Sequence, residues 1–231
     1  MYINRFITFF LLLPNICLAA SEQELKDISY ALGARTAQDL KSIELALDYN
    51  EFVQGLKDAM APKAALRLNK EAIDKALLSF RDEQAKAYEA KMQTIAANNL
   101  KIAQDFLGKN KVKAEVKSTD SGLQYKVITK GSGPTPTPEQ FVKINYRGKL
   151  IDGSEFDSSY SRKEPTVFQL KNLIPGWVEA LQLMPVGSKW ELFVPPSLGY
   201  GVEGVEPVIA PNSLLIFEIE LLEIADTANM P

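Results

Sequence analysis

Aromatic side chains, one carboxylate and one guanidinium recur in short motifs between residues 152 and 217. The motifs are DGSEFDSSYSR (152–162), TVFQL (166–170), LIPGW (173–177), PPSLGYG (195–201) and IAPNSLLIFEIEL (209–221). Their notable side chains are Phe156, Asp157, Arg162, Phe168, Trp177, Tyr200 and Phe217. Such a set can line an apolar pocket for a peptide. It contains no nucleophile paired with a base, so it is poorly equipped to break covalent bonds.

The composition excludes several kinds of chemistry. The 231 residues include no histidine, which removes the commonest general base and the commonest metal ligand. We therefore expect neither a metal nor a cofactor. The formal net charge of −3 gives no basic face for nucleic acid. The hydrophobic fraction of 46% and the charged fraction of 24% are typical of a globular protein.

Residues 1–20 have the pattern of a secretory signal peptide. Arg5 precedes the apolar run 6–13, and the small residues Ala19 and Ala20 offer cleavage positions. A buried N-terminal helix is the alternative. The run is too short to span a membrane, and no later segment has the roughly 18 consecutive apolar residues that a span needs. The sequence predicts an exported protein whose single cysteine, Cys17, is removed with the signal.

Residues 21–68 are expected to form short amphipathic helices. Ser21 followed by Glu24 is a capping-box signature for the first helix, and a second helix is predicted from Asp48 to Met60. These helices are too small to form a stable core alone. Their apolar faces predict a homodimer formed through residues 21–68. The alternative is that they fold back on the C-terminal domain.

Residues 69–112 predict one long connecting helix with Asn69 as its N-cap. Mostly apolar residues recur every three or four positions: Ile73, Leu77, Phe80, Gln84, Tyr88, Met92, Ile95, Asn99, Ile102 and Phe106. At 1.5 Å per residue the helix would span roughly 60 Å. Two helices with an unmarked break, or a helix within a bundle, are the alternatives. The narrow, interrupted stripe favours an exposed helix that separates two folded ends.

Residues 113–231 predict an α+β domain. Short alternating runs punctuated by glycine and proline indicate antiparallel strands at 122–129, 141–151, 166–170, 189–195 and 213–224. Between the runs 166–170 and 189–195, IPGWVEALQLMPVG indicates one short helix that begins after Pro175 and ends near Pro185. The expected fold is a curved antiparallel sheet wrapped on that helix.

Three segments together resemble the FKBP-type peptidyl-prolyl cis-trans isomerases over about residues 120–225. They are YRGKLIDGSEFDSS, LIPGWVEALQLMPVGSKWELFVPPSLGYG and PNSLLIFEIELL. The signal, the helical region, the long helix and SGLQYKVI extend the resemblance to the secreted, dimeric macrophage infectivity potentiator group and its FkpA relatives in Gram-negative bacteria. The resemblance implies an isomerase that assists the folding of exported proteins. It also implies a periplasmic, outer-membrane or cell-surface location and an association with virulence.

The resemblance also implies the site. The implied catalytic residues are Asp157, Tyr200, Phe156 and Phe217. The implied substrate-binding residues are Tyr146, Arg162, Phe168, Leu173, Ile174, Trp177 and Ile209. In this assignment Arg162 pairs with Asp157 and Trp177 forms the floor of the pocket. Thr166 and Val205 depart from the best-known small members at the rim, where peptide preference and inhibitor affinity are set.

The implied partners are proline-containing peptides, unfolded exported proteins and inhibitors of the tacrolimus and rapamycin type. An alternative function is a dimeric peptide-binding chaperone whose isomerase activity is incidental. A third is a surface-interaction protein that uses the long helix as a spacer. The sequence does not apportion these functions.

Overall fold

The computed structural model describes residues 21–42, 47–62 and 66–227. The predicted signal peptide, residues 1–20, lies outside the described residues. The chain divides into two compact units, residues 1–74 and 75–231, which are described separately. Over the described ranges, no helix is long and apolar enough to cross a membrane.

The first unit contains helices α1 (Glu22–Ser42) and α2 (Tyr49–Met60). The predicted capping box is confirmed, because the Glu24 N–H donates to Ser21 Oγ at 3.2 Å and the Ser21 N–H donates to Glu24 Oε2 at 2.7 Å. The Asp48 carboxylate accepts hydrogen bonds from the backbone N–H groups of Asn50 and Glu51, so it caps α2. Short-range chemistry therefore sets the start of both helices.

Helix α3 (Lys70–Asn110) is a single run of 41 residues. Asn69 caps it by accepting a hydrogen bond from the Ala72 N–H at 2.9 Å. The prediction of one uninterrupted helix is confirmed, and the alternative of two helices with a break is wrong. The absence of glycine and proline before Gly108 explains the continuity.

The remainder of the second unit is an antiparallel sheet of seven strands with one short covering helix. The strands are β1 (Val116–Ser118), β2 (Gln124–Thr129), β3 (Phe141–Leu150), β4 (Glu155–Ser158), β5 (Thr166–Gln169), β6 (Lys189–Val194) and β7 (Leu215–Ala225). Their order is β1-β2-β6-β7-β3-β4, and β5 also pairs with β3. The predicted α+β class is confirmed.

The core lies between the inner face of the sheet and the covering helix. Alternate residues of β3 and β7 are buried, as the period of two in a half-buried strand requires. Against them packs α5 (Pro175–Leu183), which begins with proline at its first position and buries Trp177, Ala180 and Leu181. This packing fixes the part of the sheet that carries the candidate site.

The described residues contain several short elements that the sequence did not indicate. Among them are β1, β4 and the one-turn helix α4 (Ser159–Arg162). Helix α4 ends at Lys163, which adopts a left-handed φ of 62°. Elements of three or four residues carry too few positions for a periodic signal, and their pairing with longer strands stabilises them.

The end of α3 packs against the sheet. Ala103 and Asn110 are each 1% exposed, and Asn110 Nδ2 donates to Gln124 Oε1 at 3.1 Å. The ring of Phe106 lies 5.7 Å from that of Phe193 between centroids. The boundary at residues 112 and 113 stays a prediction, but the last turns of α3 are integrated with the sheet.

Candidate active site

Two buried aromatic rings form the base of the candidate site. Trp177 comes from the first turn of α5 and Phe217 from β7, and they are 5% and 3% exposed. Their ring centroids lie 4.9 Å apart with an interplanar angle of 82°. This edge-to-face arrangement is a favoured geometry for aromatic pairs, so each ring fixes the other.

Three further aromatic residues surround this base. Phe156 contacts Phe217 at 5.6 Å and 88°, and Tyr146 contacts Trp177 at 5.2 Å and 77°. Phe168 contacts Trp177 at 6.2 Å and 80°. Phe156 and Phe168 are partly buried, whereas Tyr146 is 4% exposed. The five rings form a continuous apolar surface that reaches solvent at its edge.

A polar network borders this surface. The Tyr146 hydroxyl donates to Asp157 Oδ2 at 2.6 Å and accepts from Arg162 Nη2 at 2.7 Å. Arg162 Nη1 donates to Asp157 Oδ1 at 2.6 Å, which closes a three-membered ring of hydrogen bonds. The predicted pairing of Arg162 with Asp157 is therefore present. The bond between Arg162 and Asp157 joins opposite charges, and each of the other two has one charged partner, so all three are strong ones.

The network fixes the protonation states of its members. Partial burial raises the pKa of Asp157, but the hydrogen bonds from Tyr146 and Arg162 outweigh it and leave that pKa below its ordinary value of 3.8. Burial and the bond to Asp157 raise the pKa of Tyr146 above 10.0. At neutral pH Asp157 is charged and Tyr146 keeps its proton. Because the pKa of Asp157 is lower in the folded chain than its ordinary value of 3.8, the ionised carboxylate stabilises the fold at pH values above 3.8. This stabilisation is lost as the pH falls through the folded-state pKa.

Three of the other predicted site residues belong to or pack against the same hydrophobic core, and the fourth, Tyr200, is exposed. Ile209 is 5% exposed and belongs to the apolar core, against which Leu173 and Ile174 pack while partly buried. Tyr200 is 39% exposed, and burial together with the charge of Asp157 raises its pKa. Among the described residues, neither the Tyr200 hydroxyl nor the Ile174 N–H donates a hydrogen bond. Both groups can therefore donate to a bound peptide.

Comparison with known proteins identifies the family. The family model described as "FKBP-type peptidyl-prolyl cis-trans isomerase" matches residues 133–222, and that of the "Domain amino terminal to FKBP-type peptidyl-prolyl isomerase" matches residues 25–127. The FKBP-type 22 kDa peptidyl-prolyl cis-trans isomerase of Escherichia coli K12 is 42% identical over 197 residues. That alignment covers 85% of this chain and 93% of the relative. The chain belongs to the FKBP-type peptidyl-prolyl cis-trans isomerases.

Two further comparisons cover most of the chain. Outer membrane protein MIP of Legionella longbeachae is 38% identical over 201 residues, covering 87% of this chain and 86% of that protein. The crystal structure of FkpA from Escherichia coli matches with a TM-score of 0.74 at 36% identity, covering 88% of this chain and 97% of that one. The expected enzyme class and the resemblance to the macrophage infectivity potentiator and FkpA group are confirmed.

The two positions that were predicted to lie at the rim, Thr166 and Val205, have different surroundings. Thr166 begins β5, and its hydroxyl accepts a hydrogen bond from Arg162 Nη2 at 3.3 Å. It therefore extends the polar network at the rim. Val205 is 44% exposed, and its backbone forms an isolated bridge with Ile209.

Gly148 is a site residue that the sequence analysis missed. It lies in β3, opposite Asp157 of β4 on one side and Phe217 of β7 on the other. A Cβ at this position would lie 2.6 Å from Phe156 Cζ and 2.8 Å from Phe217 Cε1. Two aromatic rings therefore occupy the space that any side chain here would need. The available signal was a glycine within an alternating strand, which often marks a close approach.

Ser159 is a second residue that was missed. It is fully buried, and its Oγ accepts a hydrogen bond from the Tyr146 N–H at 2.9 Å. This bond ties the backbone of Tyr146 to the segment that carries Asp157 and Arg162. The signal was the pair of serines after Asp157, because serine hydroxyls readily bond to nearby backbone groups.

Proposed function

We propose that this isomerase lowers the barrier of X–Pro bonds at the aromatic surface formed by Tyr146, Phe156, Phe168, Trp177 and Phe217. The observation that carries the assignment is the convergence of five rings beside the Tyr146–Asp157–Arg162 network. Rotation about the peptide bond has a barrier of about 18–20 kcal/mol because the planar amide is stabilised by resonance. Lowering this barrier requires no acid, base or covalent step.

The apolar surface acts on the polarity of the amide. The planar amide is more polar than the twisted one, so its transfer from water to the aromatic surface disfavours the planar state. The proline ring would lie over Trp177, against the exposed sides of Phe156 and Phe217. The Tyr200 hydroxyl and the Ile174 N–H would donate to peptide carbonyls on either side. Contacts that fit the twisted amide better than the planar one accelerate the rotation.

Asp157 orients the site rather than transferring a proton. It is ionised and held by two strong donors, so it is a poor proton donor at neutral pH. Its carboxylate fixes the hydroxyl of Tyr146 and the guanidinium of Arg162 at the border of the surface. Its charge also faces the region of Tyr200.

Replacing Asp157 with alanine tests this assignment. We expect kcat/KM for a proline peptide to fall by about 10- to 100-fold, because Tyr146 and Arg162 lose the acceptor that orients them and one hydrogen bond to a charged group is worth about 1.5–3 kcal/mol. The measurement is cis–trans isomerisation by residues 21–231. Asp152→Ala is the matched control, since this carboxylate accepts only from Ser154 in an exposed turn. Full activity of Asp157→Ala would refute the orienting role.

A homodimer formed through residues 21–68 is the proposed assembly. Helix α1 exposes Leu25, Ile28 and Leu32 at 55%, 52% and 58%, spaced three and four residues apart on one face. Helix α2 exposes Val53 and Leu56 at 44% and 48%, and none of its residues is buried. Contiguous exposed apolar surface of this kind marks an interaction site.

Light scattering on residues 21–231 should give twice the mass of one chain. Glutamate at both Leu25 and Leu32 should give the mass of a single chain, because it places charges on the apolar face. Gln38→Glu adds a charge at an exposed polar position of α1 and should leave the dimer intact. A single-chain mass for the unsubstituted protein would contradict the proposed dimer.

A chaperone function is a second candidate, favoured by the same exposed apolar side chains. Two pockets held in one dimer would bind extended proline-containing clients with avidity. Suppression of aggregation by the Asp157→Ala variant would separate this function from isomerisation. A loss of both activities would place them at one site.

Export is the proposed route to the periplasm, the outer membrane or the cell surface of a Gram-negative bacterium. It rests on the signal pattern of residues 1–20, and the relative from Legionella longbeachae is named an outer membrane protein. N-terminal sequencing of the exported protein checks the cleavage, and retention of Met1 would contradict it.

Tacrolimus- and rapamycin-type inhibitors are proposed ligands of the aromatic surface.

A further inference from the structure

The segment that we call the rim loop, residues 200–214, connects two site residues to the rest of the second unit. It begins at Tyr200 and contains Ile209. The N–H groups of Val205 and Ile209 donate to each other's carbonyl at 2.7 and 2.8 Å. At Gly204, a Cβ would lie 2.3 Å from the Ile209 carbonyl oxygen, so the turn closes tightly on itself. The loop therefore has a defined conformation, and its position determines the positions of Tyr200 and Ile209.

Helix α3 contacts the rim loop through three side-chain hydrogen bonds. Asn99 Nδ2 donates to the Pro211 carbonyl at 2.9 Å, and Asn212 Nδ2 donates to the Ala96 carbonyl at 3.2 Å. The Tyr88 hydroxyl donates to the Glu206 carboxylate. The three helix positions span about three turns, or roughly 16 Å of helix at 1.5 Å per residue. The loop therefore lies along the helix instead of touching it at one point.

Asn212 links the helix to Tyr200 directly. While its side chain bonds to α3, its backbone N–H donates to the Gly201 carbonyl at 2.7 Å. Gly201 follows Tyr200 in the chain. On the other side, Ser213 Oγ donates to the carbonyl of Ala210, the residue after Ile209, at 2.7 Å. Hydrogen bonds thus run from α3 through Asn212 to Gly201, beside Tyr200, and the next residue, Ser213, fixes the backbone beside Ile209.

Asn99 occupies a position that is locally unfavourable for its residue type. It lies inside a helix, where asparagine is a poor helix former, and it interrupts the apolar stripe of α3. Asn212 has a left-handed φ of 54°, which asparagine tolerates better than most residues do, so its type suits its backbone. A residue such as Asn99, which breaks a local rule and makes a specific distant contact, points to a function of that contact.

We propose that α3 is a positioning element of the isomerase, and that Asn99 and Asn212 hold the rim loop so that Tyr200 and Ile209 border the aromatic surface correctly. This inference rests on the proposed function. Neither asparagine touches the peptide. They act through the loop, which supplies the Tyr200 hydroxyl to the substrate. The long helix therefore contributes to catalysis as well as connecting the parts of the chain.

The test compares Asn99→Ala, Asn212→Asp and the double variant in residues 21–231. Alanine favours the helix, and aspartate tolerates a positive φ while lacking the donor, so both changes keep the local backbone. Gln93→Ala is the matched control, because Gln93 lies exposed on α3 and its side chain donates to Glu89 of the same helix at 3.4 Å. The readouts are kcat and KM for proline peptides with different preceding residues, and amide hydrogen exchange across residues 200–214.

In the double variant we expect faster exchange at Gly201 and Asn212 and a fall in kcat/KM of about tenfold, the effect of losing two net hydrogen bonds. Gln93→Ala should match the unsubstituted chain. Unchanged exchange would overturn the proposal, because the bonds would then not hold the loop. Faster exchange with full activity would overturn it as well. Absence of isomerisation in the unsubstituted chain would instead refute the proposed function, and this proposal with it.

Discussion

Replacing Phe217 with alanine is expected to lower the free energy of unfolding by about 3–5 kcal/mol and to remove most isomerase activity. Phe217 is 3% exposed and contacts both Trp177 and Phe156 edge to face. Its loss would leave a cavity beneath the aromatic surface and free both neighbouring rings to tilt. Denaturant unfolding followed by an isomerisation assay checks the two effects.

The matched control for this change is Leu221→Ala on the same strand. Leu221 is fully buried, and it pairs with Ile144 rather than lying among the site rings. We expect a stability loss of about 2–5 kcal/mol with kcat/KM retained at a temperature where the variant is folded. If Phe217→Ala were folded and fully active, the aromatic surface would not be the site of catalysis.

Replacing Gly148 with alanine is expected to have the second largest effect, although it adds only one methyl group. The new Cβ would overlap both Phe156 and Phe217, and neither ring can retreat without losing its edge-to-face partner. Overpacking of this kind costs about 1–3 kcal/mol of stability. Because both displaced rings belong to the site, we expect kcat/KM to fall by at least about tenfold.

Gly153→Ala separates the overlap from a general effect of glycine replacement. Gly153 has a left-handed φ of 87°, but no heavy atom lies within 4 Å of the position of its Cβ. Its replacement should lower stability through backbone strain of roughly 1 kcal/mol and leave kcat/KM unchanged. Equal losses of activity in the two variants would contradict the proposed overlap.

The sequence predicted elements whose signals are local. Ser21 with Glu24, Asp48 and Asn69 each marked a helix start through a side chain that accepts from a backbone N–H two or three residues later. The longer strands followed from alternation with a period of two. Strands β1 and β4 were not predicted because three or four residues are too few to show an alternating pattern, although each pairs with a neighbouring strand of the chain.

For the candidate site, too, the sequence indicated the residues that stand in local motifs and not those whose role depends on the fold. The aromatic residues, Asp157 and Arg162 were found because they stand in dense motifs that resemble a known family. Gly148 and Ser159 were overlooked because their importance lies in what fills the space around them. Asn99 looked like an interruption of an apolar stripe, and only the fold shows that it meets Pro211, 112 residues further along the chain.

The edge-to-face contacts among the rings also determine which partner, the enzyme or the peptide, loses conformational entropy on binding. Tyr146, Phe156, Phe168 and Phe217 each meet a neighbour edge to face, so the surface is ordered before a peptide arrives. A preorganised surface has little freedom to lose on binding, and the flexible peptide bears most of that loss. The entropic cost of binding would therefore be set mainly by the conformational freedom that the peptide loses, and little by any reordering of the enzyme.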